Sequence, residues 1–225
     1  MWEKGSRIKI LVGHYGSGKT EIALNMALEM KNHFDQVALV DLDIVNPFFR
    51  SAEQGDVLKQ AGIKLLAPTF ALTGLDIPAL PAEIQMVFAN SEIHTVFDVG
   101  GDDAGALALG KYKREFEEAG YELIYVVNPF RPRSDSVQAV VDMMNRVAQS
   151  ARLVPSGLIN NANLGGYTTR EQLQQGLDFL NEVSRATGVP LIACSGQEQA
   201  LDGFDAQGIP KFFIRRYLKP EWMEE

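Results

Sequence analysis

The chain has 225 residues, 46% of them hydrophobic and 22% charged, with a net charge of −8. That length supports a sizeable core in one large α/β domain or two small ones. The acidic balance argues against nucleic-acid binding, no apolar run reaches the roughly 18 residues of a membrane span, and the lone Cys194 excludes an internal disulfide or a cysteine-held iron–sulfur cluster.

The opening residues Met1 to Arg7 lack the pattern of a secretory signal, so a cytoplasmic location is expected. His14, His33 and His94 show no ligand-like spacing, which argues against a zinc site. In chain order, Ile8 to Val12 reads as a strand, and Lys19 to His33 as a helix with Ile22, Ala23, Met26, Ala27 and Met30 at helical spacing. Val37 to Val40 predicts a second strand, Ser51 to Gln60 a helix, and Lys64 to Leu66 a short strand. Residues 67–82 hold Pro68, Pro78 and Pro81 and read as loop, followed by a helix ending near Asn90. Thr95 to Val99 is a strand, Lys111 to Ala119 a helix, and Leu123 to Val127 a strand. Ser134 to Ser150 predicts a helix capped by Ser134, then Ser156 to Asn160 a strand, Thr169 to Thr187 a helix, and Leu191 to Ala193 a last strand. Apolar strands alternating with helices predict a mostly parallel, doubly wound α/β sheet with helices on both faces. With no repeat and no break in composition, residues 1–225 read as one domain.

Gly13-His14-Tyr15-Gly16-Ser17-Gly18-Lys19-Thr20 matches the phosphate-loop pattern G-x-x-x-x-G-K-[ST], between a predicted strand and a predicted helix. The chemistry needs those residue types there. Glycines let successive N–H groups turn toward an anion, and the helix start adds its positive end. Lys19 would reach the β and γ phosphates and the Thr20 hydroxyl would ligate Mg²⁺, so the expected ligands are a nucleoside triphosphate and Mg²⁺. A dinucleotide pattern G-x-G-x-x-G fails because Glu21 stands at its third glycine; Glu21 is instead placed beside the phosphates.

Two further strands end in carboxylates, in Val40-Asp41-Leu42-Asp43 and in Val96-Phe97-Asp98-Val99-Gly100-Gly101-Asp102-Asp103. Ligands in open α/β sheets bind beyond the carboxyl ends of strands, so both clusters fall on the edge that carries the phosphate loop. Asp98 and Asp43 are candidate metal-site carboxylates. Asp41 reads as structural and Asp103 as a helix cap.

The phosphate loop, the Asp-x-Asp after the second strand and the Asp-x-x-Gly-Asp run resemble the MinD/ParA group of P-loop ATPases. That group includes the nitrogenase iron protein, the arsenite-pump ATPase and CooC-type nickel-insertion ATPases. The likeness covers most of the chain and is strongest at residues 8–50, 95–105 and 156–163. It implies that Asp43 positions the attacking water, Asp98 holds the metal, and Asp102 couples the γ-phosphate to a moving loop. It also implies that Asn161 contacts the base.

The chain departs from the group's pattern at three places. His14 stands where the group carries an extra lysine that reaches across a dimer, leaving Arg50, Arg131 or Arg133 as other sources of charge. Gly105 stands near the iron protein's cluster cysteine, which argues against electron transfer. Asn160-Asn161-Ala162-Asn163 is similar to the guanine-reading N-K-x-D, but Asn163 replaces the aspartate that accepts from guanine, which favours ATP over GTP.

The segment Ile209 to Lys219 mixes basic and aromatic residues. It reads as a tail docked on the core rather than a membrane anchor, because Pro210 and Pro220 bracket too short a helix. Asn128 to Ser134 forms a loop on the active edge, able to touch nucleotide or partner or to stand as solvated charge. The expectation is a Mg²⁺-dependent ATPase switch acting on a client protein, with a homodimer left open. The alternatives are an ATP-dependent small-molecule ligase and a partitioning or positioning ATPase acting on DNA or membrane.

Overall fold

The computed structural model describes residues 1–43, 55–66, 82–101 and 103–217. The strands are β1 (Ile8–Val12), β2 (Val37–Leu42), β3 (Lys64–Leu66), β4 (His94–Val99), β5 (Tyr121–Val127), β6 (Pro155–Asn160), β7 (Leu191–Gly196) and β8 (Lys211–Phe213). The helices are α1 (Lys19–Lys31), α2 (Gly55–Gln60), α3 (Ala82–Ala89), α4 (Asp103–Gly110), α5 (Lys113–Ala119), α6 (Val137–Ala151), α7 (Arg170–Thr187) and α8 (Glu198–Leu201). One sheet runs in the order β3-β2-β4-β1-β5-β6-β7-β8, and every pairing is parallel. This is the doubly wound α/β sheet that the alternation of elements predicts.

Side chains along a strand alternate between faces, and here that alternation builds two cores. Ile8, Ile10 and Val12 of β1 join Phe97, Leu123, Tyr125 and residues of α3 to α7 on one face. Leu11 joins Leu39, Val96, Ile124 and the apolar side of α1 on the other. Asp41 follows Leu39 and Asp98 follows Val96 at two-residue spacing, so both carboxylates point to the α1 face. They are direct neighbours in the β2–β4 register. β1 is central and buried along its whole length, which sets the loop after it in the middle of the sheet's carboxyl edge.

Several boundaries differ from the sequence reading. α4 was not anticipated, and β8 makes a strand of a segment read as docked tail, so Leu191–Gly196 is not the last strand. α6 begins at Val137, capped by Ser136, whose Oγ accepts from the Ala139 N–H; Ser134 is instead buried in the preceding loop. α7 carries a capping box between Thr169 and Gln172 and ends on Gly188 in the left-handed conformation. Arg50, Asp102, the stretch 67–81 and the start of the helix expected from Ser51 lie outside the described residues, as do residues 218–225.

Candidate nucleotide site

The phosphate loop leaves β1 and enters α1 with Gly18 at φ 87, the left-handed conformation a glycine tolerates. No side chain caps α1, and the N-terminal end of a helix suits an anion. A Cβ on Gly18 would lie 2.3 Å from the Asn161 Nδ2. The Ser17 N–H donates to the His14 carbonyl at 3.1 Å, and the Lys19 ammonium donates to the same carbonyl at 3.1 Å. His14 Nδ1 lies 2.9 Å from the Tyr15 carbonyl, and the Tyr15 ring stands 63% exposed at the loop tip. Residues 15–21 line an open cleft of about 360 Å³ with Asp43, Asn128, Arg131, Asn161, Asn163, Gly165 and Arg216. That is a size suited to a small-molecule ligand.

The carboxylates gather under this loop. Asp98 is 2% exposed, with the Thr20 hydroxyl near enough to favour its charged form. Burial pushes the Asp98 carboxyl up to about 7; the Asp41 charge raises it, Lys19 and the Thr20 hydroxyl oppose this, and Asp43 adds a smaller push. Asp41 accepts the Asp43 N–H at 3.0 Å, which agrees with the structural role read for it, and its charge also shapes the site. The loop after β4 lies against the phosphate loop: a Cβ on Gly101 would sit 2.6 Å from the Tyr15 nitrogen, and one on Gly100 3.1 Å from the Asp43 Oδ1. Asp98, Thr20, Lys19 and Asp43 are thus brought together.

Two buried oxygens in this cluster, Ser17 Oγ and Asp98 Oδ1, have no hydrogen-bond partner among the described residues. A bound ion or an ordered water would satisfy them; Trp2 Nε1 and Thr95 Oγ1, outside this cluster, are unpartnered as well. Three carboxylates face one lysine here, so a divalent cation near Thr20 and Asp98 fits the charge balance. Among the described residues no set of three His, Cys, Asp or Glu forms a metal cage. Mg²⁺ uses one or two protein ligands and completes its shell with phosphate oxygens and water.

Other residues take roles the motifs did not indicate. Asn161, read from the sequence as a base contact, lines the cleft but is 1% exposed, with its amide bonded inside the protein. Its Nδ2 donates to the Ser17 carbonyl at 2.6 Å and its Oδ1 accepts from the Ser195 hydroxyl at 2.9 Å. It braces the loop from below. Glu21 accepts the Tyr217 N–H at 2.7 Å, and Asn25 exchanges two hydrogen bonds with the Arg215 backbone at 2.8 and 2.9 Å. The chain after β8 is thereby fastened along α1, with Arg216 at the cleft. Buried Asn128 accepts from Phe130 and Asn163 N–H groups and donates to the Asn163 carbonyl, joining the loops after β5 and β6. Asparagines at strand ends on the active edge were the available signal. Only burial distinguishes their bracing role.

The strand order, the loop between β1 and α1 and the carboxylates at the ends of β2 and β4 define an α/β P-loop nucleoside-triphosphatase fold. Solved structures share it. FtsY from Thermotoga maritima, a cell division protein, matches with 16% identity and TM-score 0.55 over 88% of this chain and 64% of its own. Chloroplast FtsY from Physcomitrella patens matches with 17% identity and TM-score 0.57 over 91% and 63%. The signal recognition particle 54 kDa protein from Aeropyrum pernix, in complex with GDP, matches with 19% identity and TM-score 0.50 over 84% and 41%. The chain therefore spans less than two thirds of these relatives, and at such identities the likeness is one of fold. No family model and no curated protein matches the chain. No helix among the described residues is long and apolar enough to cross a membrane.

Proposed function

We propose that this chain binds Mg²⁺ and ATP in the cleft and acts as a slow ATPase switch of the MinD/ParA kind, coupled to a client protein. The observation that carries the reading is the cluster under the phosphate loop, where half-buried Thr20 and Asp43 meet buried Lys19 and Asp98, with Ser17 Oγ and Asp98 Oδ1 unsatisfied. Lys19 and the N-terminal end of α1 stabilise phosphate charge. Thr20 and Asp98 would hold Mg²⁺, with Asp43 beside them. When bound, Mg²⁺ supplies charge neutralisation at the β and γ phosphates. Asp43 orients a water in line with the γ-phosphorus. The water oxygen bonds to phosphorus, the bond to the bridging oxygen breaks, ADP leaves with the electron pair, and the proton passes to the released phosphate. Catalysis of this kind is chiefly positioning and electrostatics. Asp102 follows Gly101, which lies against the loop tip, and is the residue we assign to sensing the γ-phosphate.

ATP is the favoured nucleotide. The Asn163 Oδ1 accepts from the Gly165 N–H at 2.6 Å and from the Thr168 hydroxyl at 3.3 Å, so this amide braces its own turn. A neutral, locally engaged amide at that position is poorly suited to guanine. The client is a protein such as a metallocentre or enzyme-complex maturation partner, and the protein acts in the cytoplasm, with a homodimer as one route to switching. Calorimetry with Mg·ATP and Mg·GTP, with phosphate release on the same samples and Lys19→Ala as control, tests this. ATP binding lost in Lys19→Ala with slow phosphate release is expected. Tighter GTP binding would overturn the base assignment, and no binding of either by folded protein would overturn the whole reading.

A further inference from the structure

We propose that Arg131, presented by the loop between β5 and α6, contacts the nucleotide phosphates and supplies, from the same chain, a second positive charge beside Lys19. The inference rests on the nucleotide reading above and names a further residue of that site. The chain offers Arg131 and Arg133 in one loop, and the structure separates them. The Arg131 Cδ and Nε lie 3.7 Å from where a Gly16 Cβ would stand, so the side chain runs along the phosphate loop. Arg131 lines the same cleft as Lys19 and Thr20, whereas Arg133 does not.

The loop is built to hold that position. Its first residue, Asn128, is 2% exposed and accepts the Phe130 N–H, closing a tight turn. The Arg131 N–H donates to the Asn128 carbonyl at 3.2 Å, and the Ser134 N–H donates to the Arg131 carbonyl at 3.1 Å. Pro129 and Pro132 restrict the backbone on either side. Arg133 takes the turn's left-handed conformation at φ 63, which sends the chain onward into buried Ser134. These bonds fix the backbone that presents Arg131, while its side chain is exposed and open to an anion.

Its charge is also uncommitted. Among the described residues, no ion pair or side-chain hydrogen bond involves Arg131. Asp41, Asp43 and Asp98 act on one another and concentrate negative charge around the metal position. A triphosphate entering beside them needs cations as well as the metal. A guanidinium over Gly16, with two donors on one face, meets that need with the geometry phosphate oxygens favour.

The test compares Arg131→Ala, Arg131→Gln, Arg131→Lys and Arg133→Ala with wild-type and Lys19→Ala full-length chains. Mg·ATP and Mg·GTP binding is followed by calorimetry, phosphate release gives KM and kcat, and urea midpoints report folding. Arg131→Ala and Arg131→Gln should weaken the preferred nucleotide about tenfold or more and raise KM to match, with unchanged urea midpoints. Arg131→Lys should fall between them and wild type, and Arg133→Ala should stay within about twofold. Wild-type affinity in Arg131→Ala and Arg131→Gln, or an equal loss in Arg133→Ala, overturns the role given to Arg131 while leaving the nucleotide reading intact. Wild-type protein that binds neither nucleotide overturns that reading, and the role of Arg131 with it.

Discussion

Replacing Asp98 by asparagine should stabilise the nucleotide-free protein while abolishing Mg²⁺-dependent nucleotide binding. In the unfolded chain this carboxyl titrates near its usual 3.8, whereas in the fold it is pushed up to about 7, mainly by burial. Below about pH 4 both states keep the proton and the site costs nothing. As pH rises toward 7 the unfolded chain releases its proton while the folded chain retains it, so stability falls; above 7 the loss is constant. The full difference corresponds to roughly 4 kcal/mol. Asp41 and Asp43 share the same field, so about 2 kcal/mol is the expected change attributable to Asp98 between pH 5 and pH 8. The asparagine carries no ionisable group, so its altered packing beside Thr20 adds only a pH-independent offset. Urea unfolding of both proteins in EDTA should therefore show the variant gaining on wild type by about 2 kcal/mol from pH 5 to pH 8. At pH 8, Mg·ATP should raise the wild-type midpoint and leave the variant where it was. A gap that does not move with pH, or that closes as pH rises, would refute a buried, raised carboxyl at this position.

Lys19→Ala should lose at least about a hundredfold in Mg·ATP affinity, measured by calorimetry, with an unchanged circular dichroism spectrum. Gly18→Ala forces a Cβ against the Asn161 amide at 2.3 Å in a left-handed backbone and should destabilise by about 2 kcal/mol in urea. Adding Asn161→Ala removes the steric part, so the double variant should be less destabilised than the two single losses together; strict additivity would show that the two residues do not meet. Glu122→Gln leaves the Lys9 ammonium, 1% exposed and bonded at 2.6 Å to Glu122, without its counter-charge. It should cost about 2 kcal/mol in urea while Mg·ATP affinity stays within about twofold, since the pair lies at the far end of β1.

The parts of the molecule set by local pattern were legible. Ile8 to Val12, the phosphate loop and the first helix follow from an apolar run, a glycine string and helical spacing, and they stand where the pattern puts them. α4 was hidden because Asp103-Ala-Gly-Ala-Leu-Ala-Leu-Gly has two glycines and no charged stripe. Its helix depends on close packing, with a Cβ on Gly105 only 2.8 Å from the Gly100 carbonyl oxygen. β8 was hidden because a three-residue edge strand has no period to read. Ser134 and Ser136 are equivalent as caps on paper, and only the turn at Arg131 decides that the first is buried and the second caps. The Asn161 amide is held by Ser17, across 144 residues, and by Ser195, contacts that no local signal encodes.

The fastening of the last described segment to the first helix has a consequence in time. Asn25 and Arg215 meet across 190 positions, and Trp2 packs edge-on against Phe212 with ring centres 5.3 Å apart. A growing chain leaves the ribosome from its N-terminus, so the phosphate loop is made early and its C-terminal wall late. Contacts so distant in sequence close slowly. The nucleotide cleft is therefore among the last parts to mature, and a half-made chain carries the whole motif but lacks Arg216 and the tether that brings it to the cleft.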